Sequence, residues 1–118
     1  MKKNSYKYES ANKPPANFLQ TLKNIYFYRM DAVTIEKAAN AIADKHRLSI
    51  ILAASRQSAI QCCEITELTG LSQPTVSHHI KILVDSGLLI YDKTGRNVQL
   101  TINKEMMKHL SSFFGQLS

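Results

Sequence analysis

The chain has 118 residues, 44% of them hydrophobic, three prolines, and a formal net charge of +6. That length fits one compact domain with a modest core, and the composition excludes a disordered polymer. The positive balance favours a polyanionic partner such as nucleic acid or an anionic surface, although scattered lysines also serve simply to keep a surface solvated.

The opening "MKKNSYKYES" carries lysines with no apolar run behind them, so no secretory signal is expected. The longest apolar run, "SIILAA" at 49–54, is far short of the roughly 20 residues that a membrane helix needs. A cytoplasmic protein with no membrane partner is the expectation. Cys62 and Cys63 are the only two cysteines, and sequence neighbours cannot staple distant parts of a fold, so no disulfide framework is built.

In chain order, residues 1–14 are polar and lysine-rich and read as a flexible basic arm, with the domain proper at 15–118 after Pro14 and Pro15. From Phe18, the residues Leu19, Leu22, Ile25 and Tyr26 recur at helical spacing to about Met30. Asp31 or Thr34 is placed to cap a second helix with a stripe of Ile35, Ala38, Ala39 and Ile42. A third helix spans 45–55 with Leu48, Ile51 and Leu52 inward. Residues 56–61 form a loop with room for a short strand at Ile60.

The stretch "CCEITELTGLSQPTVSHHIKILVDSG" at 62–87 divides into a short helix with Ile65 and Leu68 inward, a break at Gly70, and a second helix from about Gln73 to Val84. Gly70 can take the left-handed conformation that ends a helix, and Ser72 can offer its hydroxyl to the next first turn. Pro74 fits there because first-turn N–H groups have no intrahelical partner to lose. The pattern is helix, tight turn, helix.

In the second helix Val76, Ile80 and Leu83 face the core, which puts Pro74, Ser77, His78 and Lys81 opposite, with Gln73 and Thr75 on the flanks. A short-chained, weakly basic face at a helix N-terminus suits the major groove of DNA. Gln73 can pair with an adenine edge, Thr75 and Val76 can touch a thymine methyl, and Ser72 and Ser77 can hold phosphates. The bland alternative is a solvated face, for which a mixture of acids and lysines is more usual. His78 and His79 diverge by about 100° on a helix and cannot share one metal; His79 reads as a packing residue and His78 as a DNA contact.

The following "SGLLIYDKTGRNVQLTIN", 86–103, is an apolar run, a "DKTGR" turn and an alternating strand with Val98, Leu100 and Ile102 on one face. This is a hairpin whose basic tip, Lys93 and Arg96, can lie along a DNA backbone or in the adjoining minor groove. By itself a basic turn would mean only solubility.

These motifs resemble the ArsR/SmtB group of bacterial winged-helix repressors. "LSQPTVSHHIKIL", "SGLL" and "TGRNVQLTI" are similar to that family's recognition helix and wing, and "ADKHRLSIIL" at 43–52 looks like its "ADPTRLRIL" element. The resemblance covers about residues 34–117. It implies a mainly α winged helix-turn-helix fold with a small β-hairpin wing, and a homodimeric transcriptional repressor on double-stranded DNA with an inverted-repeat operator, released by an effector.

Dimerisation also has a local argument. The last helix, "NKEMMKHLSSFFGQL", places Met106, Leu110, Phe113 and Leu117 in one stripe, with Met107 and Phe114 beside it. With Phe18, Leu19, Leu22, Ile25 and Tyr26, the two chain ends carry more apolar face than a small winged helix covers alone. Two copies packing these helices would bury it and set paired recognition helices about 34 Å apart or a multiple of that. The alternative is that the terminal helices complete a monomer core.

Cys62 and Cys63 fall at a helix start, where a thiol's pKa is lowered. The resemblance implies sensing there, because several metal and arsenic sensors of the family carry thiols in a C-x-C pattern at this place. Aligned on "LSQP", Cys63 takes the second thiol and Gln61 stands where the first belongs. No cofactor is demanded; As(III) or another soft metal ion is one candidate effector, oxidants or persulfides are another, and small buried hydrophobes are the plain alternative. The family's zinc site on the last helix is not expected, since Lys104, Glu105 and Met106 stand at its start and only His109 remains nearby. A Cys63 nucleophile with a histidine base would be the cheapest enzyme, but no acidic pair or glycine-rich phosphate loop accompanies it, so the chain reads as a non-enzyme. A winged helix acting as a thiol-redox regulator or binding only protein is the other reading.

Overall fold

The computed structural model describes the backbone from Phe18 to Ser118, and side chains at Leu19 and from Asp31 onward. The chain divides into two compact units, residues 1–33 and 34–118. The expected arm at 1–14 and the side chains of Phe18, Leu22, Ile25 and Tyr26 lie outside the described residues.

The first described helix, α1 (Phe18–Ile42), is continuous, where the sequence suggested a break and a cap at Asp31 or Thr34. No glycine or proline stands between its ends, so nothing interrupts the backbone ladder. Ile35, Ala38 and Ala41 are its buried positions after residue 33, while Ala39 and Ile42 are exposed, so the expected stripe is rotated.

Asp44 caps α2 (Lys45–Ser55), its Oδ2 accepting the backbone N–H groups of His46 and Arg47 at 3.0 Å each. The inward face of α2 is Ile50 and Ala54 with Ile51 half-buried. Leu48 and Leu52, expected inside, are exposed: the inward stripe runs from half-buried Arg47 through Ile50 and Ile51 to Ala54, so it begins on a charged residue.

A short strand β1 (Ile60–Gln61) leads without a loop into α3 (Cys62–Thr69). The turn 70–72 connects it to α4 (Gln73–Asp85), followed by β2 (Leu89–Thr94), β3 (Asn97–Ile102) and α5 (Lys104–Gln116). The sheet is antiparallel with strand order β1-β3-β2, so the hairpin gains a third strand through the pairs Ile60 with Leu100 and Gln61 with Gln99. Thr94 pairs with Asn97, leaving Gly95 and Arg96 as the hairpin turn, and Gly95 takes φ 63°, a conformation that costs other residues a clash.

The core joins these elements. Ile50, Ile60, Ile65, Val76, Leu83, Leu88, Leu89 and Leu100 are each fully buried. α3 contributes Ile65 alone, since Leu68 is exposed, contrary to expectation. Every strand and helix from α2 to β3 has at least one residue in this cluster, which fixes the turn and the hairpin relative to each other. Among the described residues, no helix is long and apolar enough to cross a membrane.

Candidate nucleic-acid interface

α3 ends at Gly70, which has φ 69° and ψ 10° and donates its N–H to the Thr66 carbonyl at 2.9 Å. This is a left-handed C-cap, as the glycine predicted. Thr69 Oγ1 accepts the Leu71 N–H at 3.3 Å, which closes the turn. α4 then starts at Gln73, with Pro74 in its first turn and the Val76 N–H bonded to the Ser72 carbonyl at 3.0 Å. Ser72 differs from expectation in one respect. Its hydroxyl makes no cap hydrogen bond and instead lies 2.9 Å from Thr75 Oγ1, so the two hydroxyls hold each other at the amino end of α4.

Along α4, Val76, His79, Ile80 and Leu83 are buried, whereas Gln73, Pro74, Thr75, Ser77, His78 and Lys81 are exposed. Val76 must be withdrawn as a candidate DNA contact: at 1% exposure it is sealed in the core and cannot reach a base. The other proposed contacts on this helix share one outward surface. Lys81 is held by Asp85 at 2.9 Å, both side chains more than half exposed, so this pair contributes little to stability and leaves the ammonium able to exchange partners.

His79 is the buried exception to the polar pattern, at 9% exposure. Arg47 Nη1 lies 3.4 Å from its Nδ1, and the His46 ring centroid is 5.9 Å away. Burial holds the imidazole below its ordinary pKa, opposed by the Asp44 carboxylate and assisted by Arg47, His46 and His78.

Beside α4, Lys93 and Arg96 are both exposed on the hairpin, near and at its turn. A cleft of about 450 Å³ separates this hairpin from α4, and Cys62, Ser77, Lys81, Tyr91 and Val98 are among the residues lining it. The first cysteine therefore opens toward two of the candidate DNA contacts. Tyr91, half-exposed in β2, was not singled out from the sequence, where it read only as part of an apolar run.

The thiols differ from each other. Cys62 is half-buried and Cys63 exposed. Burial, with the neighbouring Cys63 thiol, pushes the Cys62 thiol above its ordinary pKa, opposite to the lowering expected of a helix start. Cys63 Sγ lies 3.7 Å from Gln61 Oε1. Among the described residues, no group of three or more His, Cys, Asp or Glu side chains could hold a metal ion. Two adjacent thiols turned about 100° apart on a helix therefore have no third donor among the described residues to close a soft-metal cage.

The helix-turn-helix and the hairpin beside it agree with comparisons to known proteins. Residues 44–91 match the profile of the bacterial regulatory protein, arsR family. The arsenical resistance operon repressor of Bacillus subtilis (strain 168) is 30% identical over 77 residues, 65% of this chain and 73% of that one. A cadmium resistance transcriptional regulatory protein homolog of Staphylococcus aureus is 26% identical over 82 residues, 70% of this chain and 68% of its own length. In fold, the chain is similar to a homodimeric winged helix-turn-helix DNA-binding domain from Mycobacterium bovis, with a TM-score of 0.60, 17% identity and coverage of 73% of this chain and 80% of that one. With its winged helix-turn-helix fold, this chain belongs to the arsR family of bacterial regulatory proteins, which bind DNA and are not enzymes.

Proposed function

We propose that the chain is a homodimeric transcriptional repressor of the cytoplasm that reads an inverted-repeat operator through α4 and grips the flanking backbone with its wing. One observation carries this reading: Val76, His79, Ile80 and Leu83 anchor α4 in the core, and this leaves Gln73, Thr75, Ser77 and His78 together on its open face. Short amide, hydroxyl and imidazole groups on a rigid helix end match the donors and acceptors of base edges in a major groove. Ser72, Lys81, Lys93 and Arg96 would bind phosphates, which position the protein without reading sequence.

The roles separate by experiment. Gln73→Ala should cost about 1–3 kcal/mol of discrimination at one base pair, with the thermal midpoint unchanged. Removing the charge of Lys93 or Arg96 should weaken all duplexes alike and reduce the salt slope by about 1 for each phosphate no longer neutralised. Titration of randomised and selected duplexes at several salt concentrations measures both. Binding with no salt dependence would rule out the reading.

Dimerisation rests on α5, which presents Phe114 and Leu117 at 56% and 52% exposure beside half-buried Met106, Leu110 and Phe113. The homodimeric relative of the same fold supports pairing, and Leu19, at 67% exposure, is consistent with a role for α1.

For the effector, the names of the arsenical and cadmium resistance relatives support a thiol-directed species. The donor set here favours one that needs a single accessible sulfur, with Cys63 meeting it first. Alkylation of Cys63 is expected to lower DNA affinity; unchanged affinity after both thiols are modified would make them structural and leave the DNA reading intact.

A further inference from the structure

The part of α2 that departs most from a plain apolar stripe is Arg47. Its guanidinium faces two elements at once. On one side, Nε donates to the Ala41 carbonyl at 2.6 Å and Nη2 to the Asn40 carbonyl at 3.4 Å, satisfying carbonyls near the carboxyl end of α1. On the other, Nη1 reaches the Nδ1 of His79, on the buried side of α4, at 3.4 Å. The Arg47 backbone is fixed in turn, its N–H donating to the Asp44 carboxylate that caps α2.

A guanidinium has donors only, so the Nδ1 it meets must be an acceptor. His79 is then the neutral tautomer with its proton on Nε2. Protonation would place an N–H on Nδ1 facing an N–H of arginine, and would set two cations against each other at hydrogen-bond distance. The contact has one working protonation state.

We infer that Arg47 is a positioning residue for DNA recognition: it ties α4 to the end of α1 through His79, and does so only while that imidazole is neutral. The inference rests on α4 being the DNA-reading helix.

The charged and titratable groups around His79 set the sign. Asp44, His46 and Arg47 face it from the start of α2, and His78 from α4 itself. Burial and the three basic neighbours favour the neutral ring, and Asp44 opposes them. A group whose folded pKa is depressed contributes stability above its ordinary range and loses it as pH falls through the folded value. DNA affinity carried by the Arg47 contact is therefore full near neutrality and falls on the acid side of the ordinary imidazole range. His78 lies exposed on the outward face of the same helix, so only a substitution at His79 itself isolates the buried contact.

His79→Asn keeps an acceptor oxygen near the Nδ1 position and removes the titration. The probe is a duplex that the wild-type full-length chain selects from a randomised library. Between about pH 7.5 and about pH 5.5 at fixed ionic strength, wild type should lose affinity relative to His79→Asn by about fivefold or more. Arg47→Gln should bind about tenfold more weakly near neutrality with an unchanged salt slope, because every phosphate ligand is still in place. Nitrogen-15 NMR should find the His79 proton on Nε2.

Equal pH ratios in wild type and His79→Asn would overturn the proposal, as would a proton on Nδ1. So would a salt slope reduced by about 0.9 in Arg47→Gln, which would make Arg47 a direct phosphate ligand. If Arg47→Gln does not fold, the His79→Asn comparison and the tautomer decide. Failure of wild type to select any duplex would remove the DNA reading and this role together; selection with a flat comparison removes the positioning role alone.

Discussion

Leu83→Ala is expected to destabilise the protein by about 3 kcal/mol. Leu83 is fully buried, and its carbonyl accepts both the Leu88 N–H at 3.1 Å and the Ser86 hydroxyl at 2.9 Å. Shortening the side chain leaves a void where α4 meets the start of β2, and the surrounding helices and sheet can fill it only in part. The matched control is Leu68→Ala, the same chemical change on a half-exposed residue of α3, which should cost less than about 1 kcal/mol. Urea denaturation of both variants at one protein concentration checks the difference. Equal losses would mean that α4 does not turn the face described here into the core.

The second large effect is expected from Phe114→Glu. Phe113 and Phe114 stand edge to face with centroids 5.4 Å apart; Phe113 is half-buried and Phe114 projects outward from α5. In the proposed dimer, a carboxylate at position 114 would be desolvated without a partner, and large interface aromatics dominate such contacts. The variant should sediment as a monomer at concentrations where wild type is a dimer. Its affinity for a two-half-site duplex should fall by about two orders of magnitude, because the second half-site no longer benefits from being held by the first. The fold should be retained, since Phe114 lies outside the buried cluster. A wild-type chain that sediments as a monomer would remove the dimer proposal and leave the groove-reading helix untouched.

The helix-turn-helix was legible because its signals are local and stereochemical. Gly70 terminates one helix, Pro74 fits only a first turn, and Val76, Ile80 and Leu83 fix the inward side of the next. The hairpin was legible for the same reason, with Gly95 at its turn and Leu100 buried between half-buried Val98 and Ile102. The family resemblance rested on these same residues, and the profile match over 44–91 agrees with it.

What the sequence concealed were choices made by tertiary contacts. On α2 the inward arc begins with Arg47, whereas counting apolar residues assigns a long basic side chain to the surface and turns Leu48, Ile51 and Leu52 inward, of which only Ile51 is half-buried. Arg47 is accommodated there only because carbonyls of α1 and the imidazole of α4 receive its donors. Val76 satisfied two descriptions at once, a core residue and a methyl contact, until burial decided between them. The cap expected at Asp31 or Thr34 failed because both residue types are tolerated inside a helix that no proline or glycine interrupts. At Cys62 the backbone of the helix start does act to lower the thiol's pKa, but the dominant effect, removal of the sulfur from water, has no local signature.

The two-residue strand β1 joins parts of the molecule that a bare helix-turn-helix would leave independent. Gln61 sits opposite Gln99 in the middle strand, and the sulfur-bearing helix begins at the very next position. With no slack between them, a bulky adduct on either sulfur that pushes the start of α3 outward must strain the pairing with β3, and β3 runs directly to the arginine-tipped turn. Under the proposed function, chemistry at the cysteines would thus have a mechanical route to the turn that carries Arg96, one that does not pass through α4.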